Sequence, residues 1–169
     1  MNATLQSWNT ADGEAALDAM MACCGSRRWA EAMVAMRPIA TVAELSIAAD
    51  EVWSTMEETD WMEAFACHPR IGERKAERAS QQSAAWSRQE QSSADSATGK
   101  VLAELAAANV LYERRFGFTY IVCATGKSVE QMLDLLNRRL ASGRETELRE
   151  AAEQQRQITQ IRLGKWLVE

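Results

Sequence analysis

The stretch FTYIVCATG, residues 118–126, is the one part of this sequence that has the β-branched and apolar character of a strand. A single strand without a partner cannot form a sheet. We therefore interpret this stretch as a buried extended connector near residues 116–125. Helix signals occupy most of the remaining chain, and the sequence predicts an all-α fold.

Helix start and stop signals follow one another along the chain. Thr41 and Glu44 have the spacing of a capping box at the start of TVAELSIAADEVWSTM, and Ser128 and Gln131 have it at the start of a second helix, SVEQMLDLLNRRLASG. We expect further helices in DGEAALDAMMACCG, SRRWAEAMVAMRP, DWMEAFAC, VLAELAAANVLYERRFG and ETELREAAEQQRQITQIRLGKWLVE. The Ser/Gln/Ala-rich run at about residues 78–98 is expected to be a looser, exposed connection.

The composition fits one globular domain. The 169 residues, 47% hydrophobic and 25% charged, can bury a sizeable core, so we predict a single compact helical bundle over residues 1–169. It should contain about seven to nine helices. A net charge of −5 with scattered basic residues provides no surface for nucleic acid or anionic lipid. No export signal or membrane span is visible, so we expect a cytoplasmic protein.

The four cysteines include no C-x-x-C pair, and the chain has one histidine. These residues do not make a recognisable zinc site, and we expect no metal. We interpret the cysteines as reduced, mostly buried thiols.

The one histidine, His68, lies in ACHPRIGER. Pro69 disfavours helical angles at the preceding residue, so His68 should lie where a helix ends. Two interpretations follow. His68 either caps free carbonyls and complements the helix dipole, or it is a group that exchanges a proton near neutral pH.

Two further polar features have both a structural and a functional interpretation. In SRQEQ, Ser87, Glu90 and Gln91 form a polar run, yet Ser87 and Glu90 also have the spacing of a capping box that starts a helix. Arg162 lies seven residues after Gln155, at or beside the apolar stripe of the last helix. It either extends its charged end to solvent or, if buried, needs an anion.

Five motifs in this sequence resemble those of one enzyme family. HPRIGE, SRQEQ, ANVLYERRFGFTYIVCATGKS, LLNRRL and ETELREAAEQQRQITQIRLGKWL occur in the order found in the 2-oxo-4-hydroxy-4-carboxy-5-ureidoimidazoline (OHCU) decarboxylase family. They cover nearly the whole chain. The resemblance implies an all-helical fold, commonly a homodimer, and a decarboxylation that completes uric acid degradation to (S)-allantoin without metal or organic cofactor.

The resemblance also implies the site. It assigns the catalytic histidine to His68, with Pro69 shaping its turn, and the carboxylate that orients the histidine to Glu90. His68 would take or share the proton of the substrate hydroxyl as carbon dioxide leaves. The positions implied to bind the small ureidoimidazoline substrate are Pro69, Ser87, Gln91, Phe118, Tyr120, Ile121, Val122 and Arg162. Of these, residues 116–122 would meet the substrate with their backbone groups.

The pattern predicts that His68, Glu90 and Arg162 converge on one pocket closed by residues 116–122. Two alternatives remain. A non-catalytic helical interaction domain would leave His68 and Arg162 exposed and far apart. A ureide hydrolase would need metal ligands or a nucleophile with its base, for which one histidine offers no convincing partner set.

Overall fold

The structure, a computed structural model, describes residues 2–72, 80–92 and 99–169. Within these ranges the chain forms nine α-helices and no strand. The helices are α1 (Ala3–Thr10), α2 (Gly13–Cys23), α3 (Arg27–Ala35), α4 (Val42–Ser54), α5 (Glu58–Phe65), α6 (Gln81–Glu90), α7 (Gly99–Phe116), α8 (Val129–Arg139) and α9 (Arg144–Trp166). The predicted all-α fold is confirmed.

The chain divides into two compact units. Unit 1 contains Met1–Ala64 and Arg156–Glu169, and unit 2 contains Phe65–Gln155. Helix α9 therefore contributes its first half to unit 2 and its second half to unit 1. A single domain over residues 1–169 stays a prediction.

Unit 1 closes its helices around tryptophan and methionine side chains. Trp29, Met20 and Met33 are fully buried in it. The rings of Trp8 and Trp166 meet edge to face with their centroids 6.0 Å apart. Apolar burial of this extent is the main stabilising contribution to a helical unit.

Unit 2 encloses an aromatic core in which Tyr112 contacts Phe116, Phe118 and Tyr120 at centroid distances of 4.7, 5.7 and 5.3 Å. Between α7 and α8 the chain runs without helix or strand over residues 117–128. Its residues 118 and 120–124 are buried. We call residues 117–128 the connector. The predicted buried extended connector is confirmed, except that Phe116 still belongs to α7.

Local capping explains where several helices begin. The side chain of Ser128 accepts a hydrogen bond from the backbone N–H of Gln131, whose own side chain accepts from the backbone N–H of Ser128. The predicted capping box is therefore present. Thr41 likewise caps α4 by accepting from the N–H of Glu44.

The expected loose connection is wrong over part of its length. Ser80 caps α6 by accepting from the N–H of Ser83, and α6 buries Ser83, Trp86 and Ser87. The other residues of that run, 78–79 and 93–98, lie outside the described ranges. Helix α1 was also not predicted, because only Leu5 and Trp8 are buried along its eight residues.

The four cysteines are buried and form no disulfide, as predicted. In the described part of the chain, no helix combines the length and apolar character needed to span a bilayer.

Candidate active site

His68 lies in a turn directly after α5. Its backbone N–H donates to the carbonyl of Phe65, the last residue of that helix, at 3.0 Å. Pro69 is buried and His68 is half-buried. The prediction that His68 follows a helix end is confirmed, and we call residues 68–72 the histidine turn.

The imidazole of His68 contacts a buried amide. Nε2 of His68 lies 2.7 Å from Oε1 of Gln155, a residue of α9 within unit 2. Gln155 is completely buried, with a relative exposure of 0%. The ring is therefore fixed by a side chain that is itself packed on all sides.

Side chains of helix α7 bind Arg70 and Ile71 of the histidine turn. The guanidinium of Arg70 donates from Nε and Nη2 to the two carboxylate oxygens of Glu113, at 2.7 and 2.6 Å. This two-pronged geometry is the strongest form of an arginine–carboxylate pair. One turn earlier on α7, the amide of Asn109 donates to the carbonyl of Ile71 at 3.3 Å.

The end of α6 holds the last residue of the histidine turn. The N–H of Gly72 donates to Oε1 of Gln91 at 3.0 Å. Gly72 has a φ of +91°, a conformation that glycine adopts without strain. Gln91 is the C-cap of α6, and Glu90 is the half-buried residue before it. The structure thus brings the SRQEQ motif to the histidine turn.

The capping-box interpretation of Ser87 and Glu90 is wrong. Both residues lie in the last turn of α6, and the carbonyl of Ser87 accepts from the backbone N–H of Gln91 at 3.1 Å. Ser87 is buried, with a relative exposure of 2%. These residues end a helix instead of starting one.

The connector is joined to the elements that carry His68 and Gln155. The ring of Phe118 lies 5.4 Å from that of Phe65, three residues before His68. At the other end, the N–H of Cys123 donates to Oε1 of Gln154 at 2.8 Å. Because Gln154 precedes Gln155 on α9, neighbouring side chains of one helix bind the connector and the histidine.

A buried polar cluster sets the backbone between these two points. Arg139 of α8 donates to Oε1 of Glu147 at 2.6 Å and to the carbonyl of Ile121 at 2.7 Å. The guanidinium also lies 4.9 Å from the centre of the Tyr120 ring. The hydroxyl of Tyr112 donates to Glu147. We call these four side chains, with the Ile121 carbonyl, the arginine cluster.

Burial dominates the protonation of this cluster. It raises the pKa of Tyr112 and of Tyr120 well above the ordinary value of tyrosine, although the charge of Arg139 opposes the shift. For Arg139, burial lowers the pKa, but the hydrogen bond to Glu147 and the nearby acidic groups outweigh it and the net pKa is raised. Arg139 therefore stays charged and the tyrosines stay neutral.

Of the predicted binding residues in the connector, Phe118, Tyr120, Ile121 and Val122 are each at most 5% exposed. The hydroxyl of Tyr120 donates to the carbonyl of Met132 at 3.1 Å. The Tyr120 side chain is thus committed to the core. That this segment contacts the substrate stays a prediction.

Arg162 belongs to unit 1, and its convergence with His68 stays a prediction. The residue is buried, with a relative exposure of 1%, so the interpretation that its end reaches solvent is wrong. The charge of Arg162 acts on the thiol of Cys23. Burial raises the pKa of this thiol, and the positive charge of Arg162 partly offsets the increase. Among the described residues, no three His, Cys, Asp or Glu side chains are grouped to hold a metal ion.

A family model described as OHCU decarboxylase matches residues 9–164. The chain belongs to the OHCU decarboxylase family. A member of known structure, OHCU decarboxylase crystallised in the presence of (S)-allantoin, is 35% identical and superposes with a TM-score of 0.77, covering 90% of this chain and 99% of that one. An (S)-allantoin synthase structure shares the fold at a TM-score of 0.71 and 18% identity, over 96% of this chain and 53% of that one.

Two curated relatives extend the comparison. The uric acid degradation bifunctional protein TTL of Arabidopsis thaliana is 37% identical over 149 residues, which are 88% of this chain and 46% of that protein. The chain thus spans about half the length of this relative. The 2-oxo-4-hydroxy-4-carboxy-5-ureidoimidazoline decarboxylase of Haloferax volcanii is 24% identical over 163 residues, 96% of this chain and 95% of that protein.

The sequence alone did not identify Gln155 and Glu113, the residues that hold the histidine turn of this OHCU decarboxylase family member in place. Gln155 and Glu113 lie 87 and 43 residues from their partners in the histidine turn, and no spacing rule connects such positions. One signal was available. A glutamine on the apolar side of α9 is a polar group that must find a hydrogen-bonding partner when it is buried.

Proposed function

We propose that this chain decarboxylates 2-oxo-4-hydroxy-4-carboxy-5-ureidoimidazoline to (S)-allantoin, with no metal or organic cofactor. Family membership supports the reaction. The observation that carries the proposal is the histidine turn, in which the one imidazole of the chain is held 2.7 Å from a buried amide, beside the connector.

The substrate has the electron acceptor that a decarboxylase otherwise takes from a cofactor. When the bond from the ring carbon to the carboxylate breaks, its electron pair moves toward the adjacent C=N bond, whose nitrogen takes up a proton. Carbon dioxide leaves and an enol remains. The enol hydroxyl then gives up its proton while the neighbouring ring carbon gains one, so that the reaction consumes one proton overall.

The protein must then position the ring and manage protons. We propose that His68 accepts the proton of the substrate hydroxyl, oriented by Glu90 at the end of α6. A general acid–base group of this kind contributes about 10²- to 10⁴-fold in rate. Gln91 supports the arrangement because its side chain binds Gly72, four residues after His68.

We assign substrate binding to Ser87, Gln91, Pro69, the connector backbone and Arg162. The buried guanidinium of Arg162 has a planar fork that suits the substrate carboxylate or a ring carbonyl. Because the side chains of residues 118 and 120–122 are buried, this segment would contribute its N–H and C=O groups.

The test uses substrate prepared freshly by oxidising uric acid and hydrolysing the first product. After addition of the protein, circular dichroism should show (S)-allantoin forming faster than the spontaneous decay. The matched variant is His68→Asn, which keeps a polar side chain at the end of α5. It should retain the parent's far-ultraviolet spectrum and melting temperature and lose at least about a hundredfold in kcat.

A folded His68→Asn protein that turns over within a few-fold of the parent would return His68 to the role of helix cap. An inactive but folded parent would favour the helical interaction domain instead. Both results are read against the same uncatalysed rate.

We also propose a homodimer in a reducing, cytoplasmic setting. Family resemblance supports the dimer, and the four buried thiols without a disulfide suit a reducing compartment. Sedimentation equilibrium of the purified chain tests the dimer, and a monomer at micromolar concentration would contradict it.

A further inference from the structure

His68 has an environment that discriminates between its two ring nitrogens. Its Nε2 faces the side-chain oxygen of Gln155 at 2.7 Å. An amide oxygen can only accept a hydrogen bond, and we therefore infer that the nitrogen facing it carries the proton. A neutral imidazole has one N–H, and the lone pair is then on Nδ1.

The partner of His68, the Gln155 amide, is uncharged. This affects the pKa of the imidazole, whereas its position affects the tautomer. A carboxylate at this place would stabilise the imidazolium and raise the histidine pKa, whereas an amide binds the N–H without adding negative charge. Gln155 thus selects one tautomer of the neutral ring and leaves it able to accept a proton. The Gln155 side chain itself is completely buried.

The backbone under the ring is restrained independently. Arg70 is paired with Glu113, Ile71 accepts from Asn109, and Gly72 donates to Gln91. These contacts restrain the backbone of the histidine turn. The contact with Gln155 acts on the ring itself and places Nε2 toward α9.

We propose that Gln155 is a positioning residue that holds His68 in the Nε2–H tautomer and leaves Nδ1 as the nitrogen that accepts the substrate proton. We infer the tautomer from the contact between Nε2 of His68 and Oε1 of Gln155. The use of Nδ1 rests on the proposed decarboxylation.

The first measurement needs no substrate. His68 is the one histidine of the chain, so long-range proton–nitrogen correlation of nitrogen-15-labelled protein gives a single imidazole pattern. At a pH where the ring is neutral, Nε2 should have the chemical shift of a protonated nitrogen and Nδ1 that of an unprotonated one. The opposite assignment would overturn the proposal, whatever the enzymatic activity.

The second measurement compares variants. Gln155→Leu should give a mixture of tautomers and lower kcat about tenfold or more, with KM changed less than kcat. Gln157→Leu, a matched change in the same helix outside the proposed machinery, should leave both unchanged. An unaltered imidazole pattern in folded Gln155→Leu would refute the role.

The third measurement distinguishes positioning from packing. Gln155→Glu should raise the pKa of His68 in an NMR titration, because the carboxylate stabilises the imidazolium. The acid limb of the kcat profile should move to higher pH by the same amount, so activity lost at neutral pH returns on alkalinisation. A uniform loss at every pH would indicate a packing defect and contradict the proposal.

The other ionisable side chains on the surrounding elements are the same in the parent and in Gln155→Glu. They include Arg70 and Glu113, which pair with each other, Glu90 at the end of α6, and the thiols of Cys67 and Cys123. If the parent is folded but does not turn over the substrate, the proposed function fails. The imidazole pattern and the NMR titration still decide the role of Gln155.

Discussion

Removal of the guanidinium from the arginine cluster should be the most destabilising single change in unit 2. In Arg139→Met, Glu147 loses the cation that donates to it at 2.6 Å, and the carbonyl of Ile121 loses a donor at 2.7 Å. The Glu147 side chain is 1% exposed, so water cannot replace the lost partner. Its remaining partner would be the hydroxyl of Tyr112.

An uncompensated buried charge of this kind costs about 3–5 kcal/mol. The total free energy of unfolding of a domain is about 5–15 kcal/mol, so the variant should lose a large share of it. For a chain of this size the melting temperature should fall by about 6–20 °C. Urea unfolding followed by far-ultraviolet circular dichroism measures the change directly.

The chain offers a close control. Arg138 precedes Arg139 on α8, is exposed, and undergoes the same chemical change in Arg138→Met. That variant should stay within about 0.5 kcal/mol of the parent. Adding Glu147→Leu to Arg139→Met removes the stranded carboxylate and should recover part of the loss. If Arg139→Met costs no more than Arg138→Met, the reasoning about the cluster is wrong.

Three further predictions test other parts of the structure. Burial raises the pKa of Tyr112 and Tyr120, the chain's two tyrosines. The unfolded state therefore releases these protons first, above the ordinary tyrosine pKa of 10.0, and the stability of the folded state falls as the pH rises further. Tyrosinate absorbance should thus appear only together with loss of helical circular dichroism, and tyrosinate in a folded protein would contradict this. Gly72→Ala should cost about 1–3 kcal/mol in thermal unfolding because of its φ of +91°, whereas Gly164→Ala inside α9 should be neutral or stabilising; equal effects would refute the strain. Arg162→Lys keeps the charge but loses the fork, so KM in the allantoin assay should rise about tenfold, and an unchanged KM would remove Arg162 from substrate binding.

Helices whose ends are set by neighbouring residues could be predicted from the sequence. Ser128 and Gln131 cap α8 within a single turn, so their spacing predicts the start of that helix. Helix α6 was missed because Ser83 and Ser87 occupy two of its three buried positions, with Trp86 between them. Serine leaves no hydrophobic periodicity, and a pattern based on apolar spacing cannot show such a face.

For the site too, the sequence predicted the local features but not the long-range contacts. Pro69 reveals locally that His68 ends a helix, and the family motifs indicate which residues belong together. The contacts that hold the histidine turn join residues that are far apart in the sequence. Whether Gln155 contacts His68 depends on how α9 packs within unit 2, and packing is a property of the folded chain that no short sequence window contains.

The histidine turn has a consequence for the order of folding. Its four restraints join residues separated by 87, 43, 38 and 19 positions in the chain. Closing such long loops costs entropy before any contact repays it, so these contacts form late, after the capped helices that need only their own neighbours. During refolding, helical content should therefore return before the histidine turn reaches its final geometry. A newly made chain would pass through a stage in which its helices are complete and its histidine is not yet in place.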